Sequence, residues 1–205
     1  MNIMKKQIFL QENILKTIIN ISLIFFLFSI TCITKSYAKE KWFIDQNLSN
    51  ITFEVPVLFA TNVIGKFNNI NGLVELDLEN KENNKAIISV SIDSIESNYE
   101  KYKDLLLGPI FFDSKNFPIA LMDTKKFYYE DETDLTLNIE LTIKDKSKII
   151  ETNLNIIKLT NDIVQILANF EFSRTDFKIG TGNWQNTTIL RDKIKIDSNI
   201  FLVRE

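Results

Sequence analysis

The side chains best suited to chemistry gather near the C-terminus, where Arg174 and Asp176 stand one residue apart, just ahead of Gly180, Gly182 and Trp184. An arginine and a carboxylate at that spacing either orient a polar headgroup or pair with each other and cap a barrel, and an exposed pair of this kind is worth little. Asp113 and Asp123 supply further carboxylates. Two carboxylates can run acid and base chemistry, but nothing in the sequence sets two of them beside an apolar cleft. Histidine is absent from all 205 residues, which removes the commonest general base and the commonest transition-metal ligand. The single cysteine, Cys32, lies in an apolar N-terminal run, where Ser29 and Thr31 fit a lipoprotein acylation site poorly. No Asp-x-Asp-x-Asp-Gly calcium loop occurs. The residue types therefore point away from catalysis, metals and cofactors, and toward binding.

The elements that must position these residues are strands. From Trp42 onward the apolar side chains alternate with period two, the signature of half-buried antiparallel strands. Ile51-Thr52-Phe53-Glu54-Val55 is the clearest run, and others cover residues 73–78, 87–92, 119–127, 135–143, 150–156, 163–172 and 193–202, which makes eight strands. Short polar links such as Lys144-Asp145-Lys146-Ser147-Lys148 join neighbours, so the expected order is an antiparallel meander. Dry faces are expected at Ile51, Phe53 and Val55, at Leu137, Ile139, Leu141 and Ile143, and at Val164, Ile166, Ala168, Phe170 and Phe172. One dry and one wet face suit a closed barrel or a two-sheet sandwich equally. Ser97-Asn98-Tyr99-Glu100 reads as a capping box before a short helix that Gly108-Pro109 ends. Phe111, Phe112 and Phe117 then place aromatic rings in a connecting segment, as a lid or mouth over the barrel end or as a plug that closes it.

The N-terminal stretch is expected to be a cleaved signal peptide covering residues 1–38. Lys5 and Lys6 begin it, residues 18–33 are almost wholly apolar, and Ser36-Tyr37-Ala38 offers a cleavage site after Ala38. The apolar run is shorter than the roughly 20 residues needed to span a bilayer; a retained anchor is the alternative. Residues 39–205 would then form one exported domain without cysteine, hence without disulfides. Its 20 basic and 26 acidic side chains give −6, a balance that argues against nucleic acid as a partner.

Taken in order, Trp42-Phe43-Ile44-Asp45, Gly65-Lys66-Phe67, Leu106-Leu107-Gly108-Pro109-Ile110-Phe111-Phe112-Asp113 and the run from Phe172 to Trp184 resemble the YceI-like family of bacterial periplasmic proteins. Arg174-x-Asp176-Phe177-x-Ile179-Gly180-x-Gly182-x-Trp184 carries most of the likeness. The chain departs from the family at Leu48, where a histidine is frequent, at Lys103-Asp104, where an Arg-Asp pair is, and at Asp145, where a turn glycine is. The resemblance implies an all-β fold, an antiparallel up-and-down eight-stranded lipocalin-like barrel with a short helix in one connection. It further implies a periplasmic, non-enzymatic protein whose apolar interior holds a polyisoprenoid, an isoprenoid quinone or another long-chain amphipathic lipid. On that reading the walls come from Phe53, Val55, Phe67, Met122, Ile139, Leu141, Phe170 and Phe172 on strands. Phe111, Phe112, Phe117, Phe177 and Trp184 join them from the connecting segments. Some relatives accompany a membrane cytochrome b and some pair as homodimers. The alternative is thus a filled-core secreted barrel that acts through its surface on a protein partner such as that cytochrome.

Overall fold

Alternation of branched apolar and polar residues builds one sheet that closes on itself. A computed structural model describes residues 39–58, 61–77 and 79–204; the expected signal peptide, its cleavage site after Ala38 and the expected strand end at Leu78 lie outside the described residues. The strands are β1 (Glu40–Ile44), β2 (Asn50–Val55), β3 (Val63–Phe67), β4 (Ile70–Leu76), β5 (Lys85–Ser91), β6 (Ile95–Ser97), β7 (Ile119–Asp123), β8 (Asp134–Ile143), β9 (Lys146–Lys158), β10 (Ile163–Ser173) and β11 (Lys193–Arg204). All neighbours are antiparallel, and the ring closes where β1 meets β11 through Trp42↔Arg204, Phe43↔Val203 and Ile44↔Leu202.

Eight staves make this ring, as the eight apolar runs imply, but three of them are broken. β1 and β2 both pair with β11 and form one interrupted stave; β3 with β4 and β5 with β6 form the next two. The first break has a local cause. The Asp45 carboxylate accepts the N–H groups of Asn47 (2.9 Å) and Leu48 (3.3 Å), a turn that competes with the ladder. Leu48 is 52% exposed on that turn. Gly65, opposite Phe53 on β2, leaves room for the Phe53 ring, because a Cβ there would lie 2.2 Å from it.

Two local expectations change. The strand expected over residues 119–127 ends at Asp123, where the Asp123 carboxylate accepts the Lys125 N–H at 2.7 Å and Lys125 takes φ 55°. The capping box does not form. Ser97 Oγ instead accepts the Tyr99 N–H at 3.2 Å, and Asn98 ties the segment to β3 through the Ile64 N–H and the Asn62 carbonyl, both at 3.0 Å. A 3-10 turn (Glu100–Tyr102) then leads into the short helix α1 (Lys103–Leu107), which buries Leu106. Neither has a side-chain cap, and a helix of this length stands on packing rather than propensity.

The core fills one end of the barrel. Phe53, Phe67 and Phe112 meet as a triangle with centroids 5.6, 6.0 and 6.4 Å apart, mostly edge to face, a geometry that adds to their burial. Phe172 and Phe177 stack edge to face at 5.1 Å beside them.

Candidate functional site: an apolar cavity in the open half of the barrel

Along each stave the inward side chains change character from end to end. On β10, Phe172 is buried in the core, whereas Phe170, Ala168, Ile166 and Val164 are half-buried and line a cavity of about 680 Å³. Val74, Ala86, Ile88, Leu137, Leu154, Ile156, Ile200 and Leu202 complete its walls, so most staves contribute aliphatic surface. That volume falls inside the range of roughly 300–1,000 Å³ usual for ligand cavities. A second void of about 50 Å³ lies among Phe53, Phe67, Phe112, Leu141 and Phe172, too small for a ligand of any length.

The cavity opens where β1 begins and β11 ends. Its rim carries four carboxylates, Glu40, Asp77, Glu130 and Asp131, and three cations, Lys81, Lys158 and Arg204. Each cation is already engaged. Arg204 holds Glu40 at 3.1 Å and Asp162 at 2.6 Å, with its guanidinium 5.5 Å from the centre of the Trp42 ring. Lys158 pairs with Asp131, and Lys81 with Glu130, which also accepts the Tyr128 hydroxyl. The Lys81 and Tyr128 hydrogen bonds hold the Glu130 carboxyl below its ordinary value. Asp131 takes φ 77° on the segment that bridges β7 and β8 across the rim.

The opposite end is sealed. Arg174 is fully buried, its guanidinium donating to the carbonyls of Ile179 (2.8 Å), Leu190 (2.8 Å), Arg191 (3.0 Å) and Gly180 (3.2 Å). Desolvation lowers its pKa, partly offset by Asp192, but an arginine remains charged. It pairs with no headgroup position and not with Asp176, which is exposed and lies 3.9 Å from Lys148. Gly180, at φ 76°, is required here because a Cβ would meet the Arg174 Nη1 at 2.8 Å. The Gly180 and Thr181 N–H groups bond the Ile110 carbonyl, and Phe111 stacks on Trp184 at 5.7 Å. Lys144, at φ 56° in the β8–β9 turn, donates to the carbonyls of Phe111 and Lys178.

This geometry sorts the expected pocket residues. Met122, Ile139 and Phe170 line the large cavity. Phe53, Phe67, Phe112, Leu141 and Phe172 surround the small void beneath it. Val55, Phe111, Phe117, Phe177 and Trp184 line neither: Val55, Phe111 and Phe177 are buried at the sealed end and Phe117 and Trp184 are half-buried there. The aromatic segment after α1 is therefore the plug, and the open mouth is at the other end. Sequence reasoning missed Trp42, Val74, Ala86, Leu154, Ile156 and Ile200 as wall residues. The available signal was the exchange of phenylalanine for alanine, valine and isoleucine along single inward rows.

Residues 42–202 match the YceI-like domain over nearly the whole barrel. The chain belongs to the YceI-like domain family. Among solved structures, Burkholderia cenocepacia BcnA is similar at TM-score 0.69 and 20% identity, covering 77% of this chain and 98% of that one. A polyisoprenoid binding domain from Saccharophagus degradans is similar at TM-score 0.65 and 11% identity, covering 80% and 98%. The Campylobacter jejuni YceI protein is similar at TM-score 0.63 and 23% identity, covering 73% and 89%. No curated protein matches. At these identities the structural likeness speaks for the fold, an all-β closed eight-stranded antiparallel barrel with one short helix.

Proposed function

We propose that this YceI-like protein is an exported, non-catalytic lipid-binding protein that shields the tail of a polyisoprenoid or isoprenoid quinone in the hollow half of its barrel, in the periplasm. The observation that carries the reading is the cavity of about 680 Å³, walled mostly by aliphatic side chains and bearing a charged rim. Apolar walls without a reactive group suit a hydrocarbon chain, and each methylene removed from water is worth about 0.8 kcal/mol. Taking the roughly 30 Å³ that a water-sized group occupies in a liquid, the cavity has room for on the order of 20 carbon atoms, about four isoprene units. A longer tail would leave its remainder at the rim. The printed description of the Saccharophagus degradans neighbour as a polyisoprenoid binding domain supports the same ligand class. The signal-peptide pattern read in residues 1–38, a positive start, an apolar run and Ser36-Tyr37-Ala38, supports export. The cavity also weighs against the alternative of a filled barrel acting only through its surface.

The test is native mass spectrometry of protein purified from a bacterial periplasm, followed by organic extraction. An isoprenoid lipid in near-stoichiometric amount is the expected result. Protein that emerges without lipid and also refuses prenols and quinones in titration would overturn the proposal.

A further inference from the structure

Three side chains part the hollow half of the barrel from the filled half. Ile51, Met122 and Phe170 line both the large cavity and the small void of about 50 Å³ beneath it. They stand on β2, β7 and β10, the first, fourth and seventh staves counted round the ring from the one that β1 and β2 share, so they face the interior from three sides. Each marks the level at which its own inward row passes from one space to the other. On β10, Ala168 lines the cavity and Phe172 the void, with Phe170 between them. At β7, Thr124 lines the cavity and Ala120 the void, with Met122 between them. On β2, Ile51 is followed in its row by Phe53, which lines the void and not the cavity.

This partition is backed from below. The Phe170 ring lies 6.5 Å from that of Phe172, which in turn meets the fully buried Phe177 at 5.1 Å. Pushing a chain end into so filled a region would force its side chains off their preferred rotamers. The void itself has room for about two carbon atoms at roughly 30 Å³ each, less than one isoprene unit.

We infer that Ile51, Met122 and Phe170 form a floor that sets how much of an isoprenoid tail the barrel takes in, and that Phe170, the largest of the three, is the residue that determines this length. The tail then enters as far as the floor, about four isoprene units on the volume of the cavity, and any further units stay outside. This inference rests on the lipid-binding reading above and adds a length limit to it.

The experiment titrates the purified protein with geraniol, farnesol, geranylgeraniol, geranylfarnesol and hexaprenol, each one isoprene unit longer than the last, with the fluorescence of Trp42 in the cavity wall as the signal. Affinity should climb by about tenfold or more at each step up to geranylgeraniol, from the burial of further hydrocarbon, and level off beyond it. Phe170→Ala removes a ring and joins the void to the cavity, so the climb should extend one step, with geranylfarnesol favoured over geranylgeraniol by about tenfold. Met122→Ala opens the floor from another stave and should move the same ratio in the same direction, which decides the matter if Phe170→Ala does not fold. Ile166→Ala enlarges the cavity above the floor and should leave the levelling point at geranylgeraniol. A climb that continues undiminished to hexaprenol in the unaltered protein, a levelling point that neither floor variant moves, or one that Ile166→Ala moves as far as Phe170→Ala would each overturn the inference and leave the lipid-binding cavity standing. Failure of every prenol to bind would overturn the lipid-binding reading itself, and this inference with it.

Discussion

The two halves of this barrel share the same staves and a mostly apolar inward face, yet one encloses about 680 Å³ and the other about 50 Å³. The difference lies in what stands on the inward rows. In the sealed half, Phe53, Phe67, Phe112, Phe172 and Phe177 interlock edge to face, and two connections fold down to cover them. In the open half the rows carry Val74, Ala86, Ile88, Val164, Ile166 and Ala168, which are too short to meet across a barrel of eight staves. An eight-stranded barrel is near the size at which the interior is either filled or holds one small ligand. This molecule does both.

Four outcomes would break or sharpen that comparison. The largest effect belongs to Arg174→Met, which leaves four buried carbonyls without their donor; a loss of about 3 kcal/mol or more is expected in urea denaturation. A loss below about 1 kcal/mol, the value of one ordinary hydrogen bond, would show that the sealed end does not depend on it. Next comes a matched pair. Phe112→Ala should cost about 3–5 kcal/mol because it opens a new void in a filled region, whereas Ile166→Ala, which only widens an existing cavity, should cost less than the roughly 2 kcal/mol at the low end for such truncations. Equal costs would mean that the two halves are packed alike.

Third, Ala168→Phe should fill the open half. It should displace about two methylenes of a bound tail, weakening binding about tenfold at ~0.8 kcal/mol each, while the thermal midpoint of the lipid-free protein holds or rises. Unchanged lipid binding would place the ligand elsewhere. The smallest effect is electrostatic. Glu130 is held below its ordinary value by Lys81 and Tyr128, and Asp77 by Asn83 and the Asn80 N–H. A carboxylate with a depressed folded pKa contributes stability that is present above its unfolded pKa and lost as pH falls through the folded one. The ties across the rim should therefore outlast the ordinary carboxylate range on acidification, and the Glu130 titration followed by NMR should have its midpoint below 4.5. A midpoint at or above that value, or one indifferent to Lys81→Met, would dissolve the rim as an ion-paired structure. Because the Lys81–Glu130 pair is exposed, added salt should loosen it as well.

Much of the architecture was legible in the residues. Period-two alternation marked all eight staves, and the inward faces at Ile51, Phe53 and Val55 and at Leu137, Ile139, Leu141 and Ile143 are buried as the pattern requires. Breaks in the first three staves were not legible; the first comes with a side-chain turn, that of Asp45, which alternation does not report. Nor was the Ser97 capping box reliable. Its hydroxyl serves a tighter local turn while Asn98 is drawn away by β3.

What the sequence determined by itself is the set of local choices: which residues alternate, where the chain turns, and that residues 39–205 hold neither histidine nor cysteine. Short-range chemistry decides such things, and it is written in neighbouring residues. Only the tertiary structure decided which end of the barrel is open. A phenylalanine row and an alanine row read alike as apolar, and the length of a side chain becomes a plug or a cavity only once eight staves set the distance it has to cross.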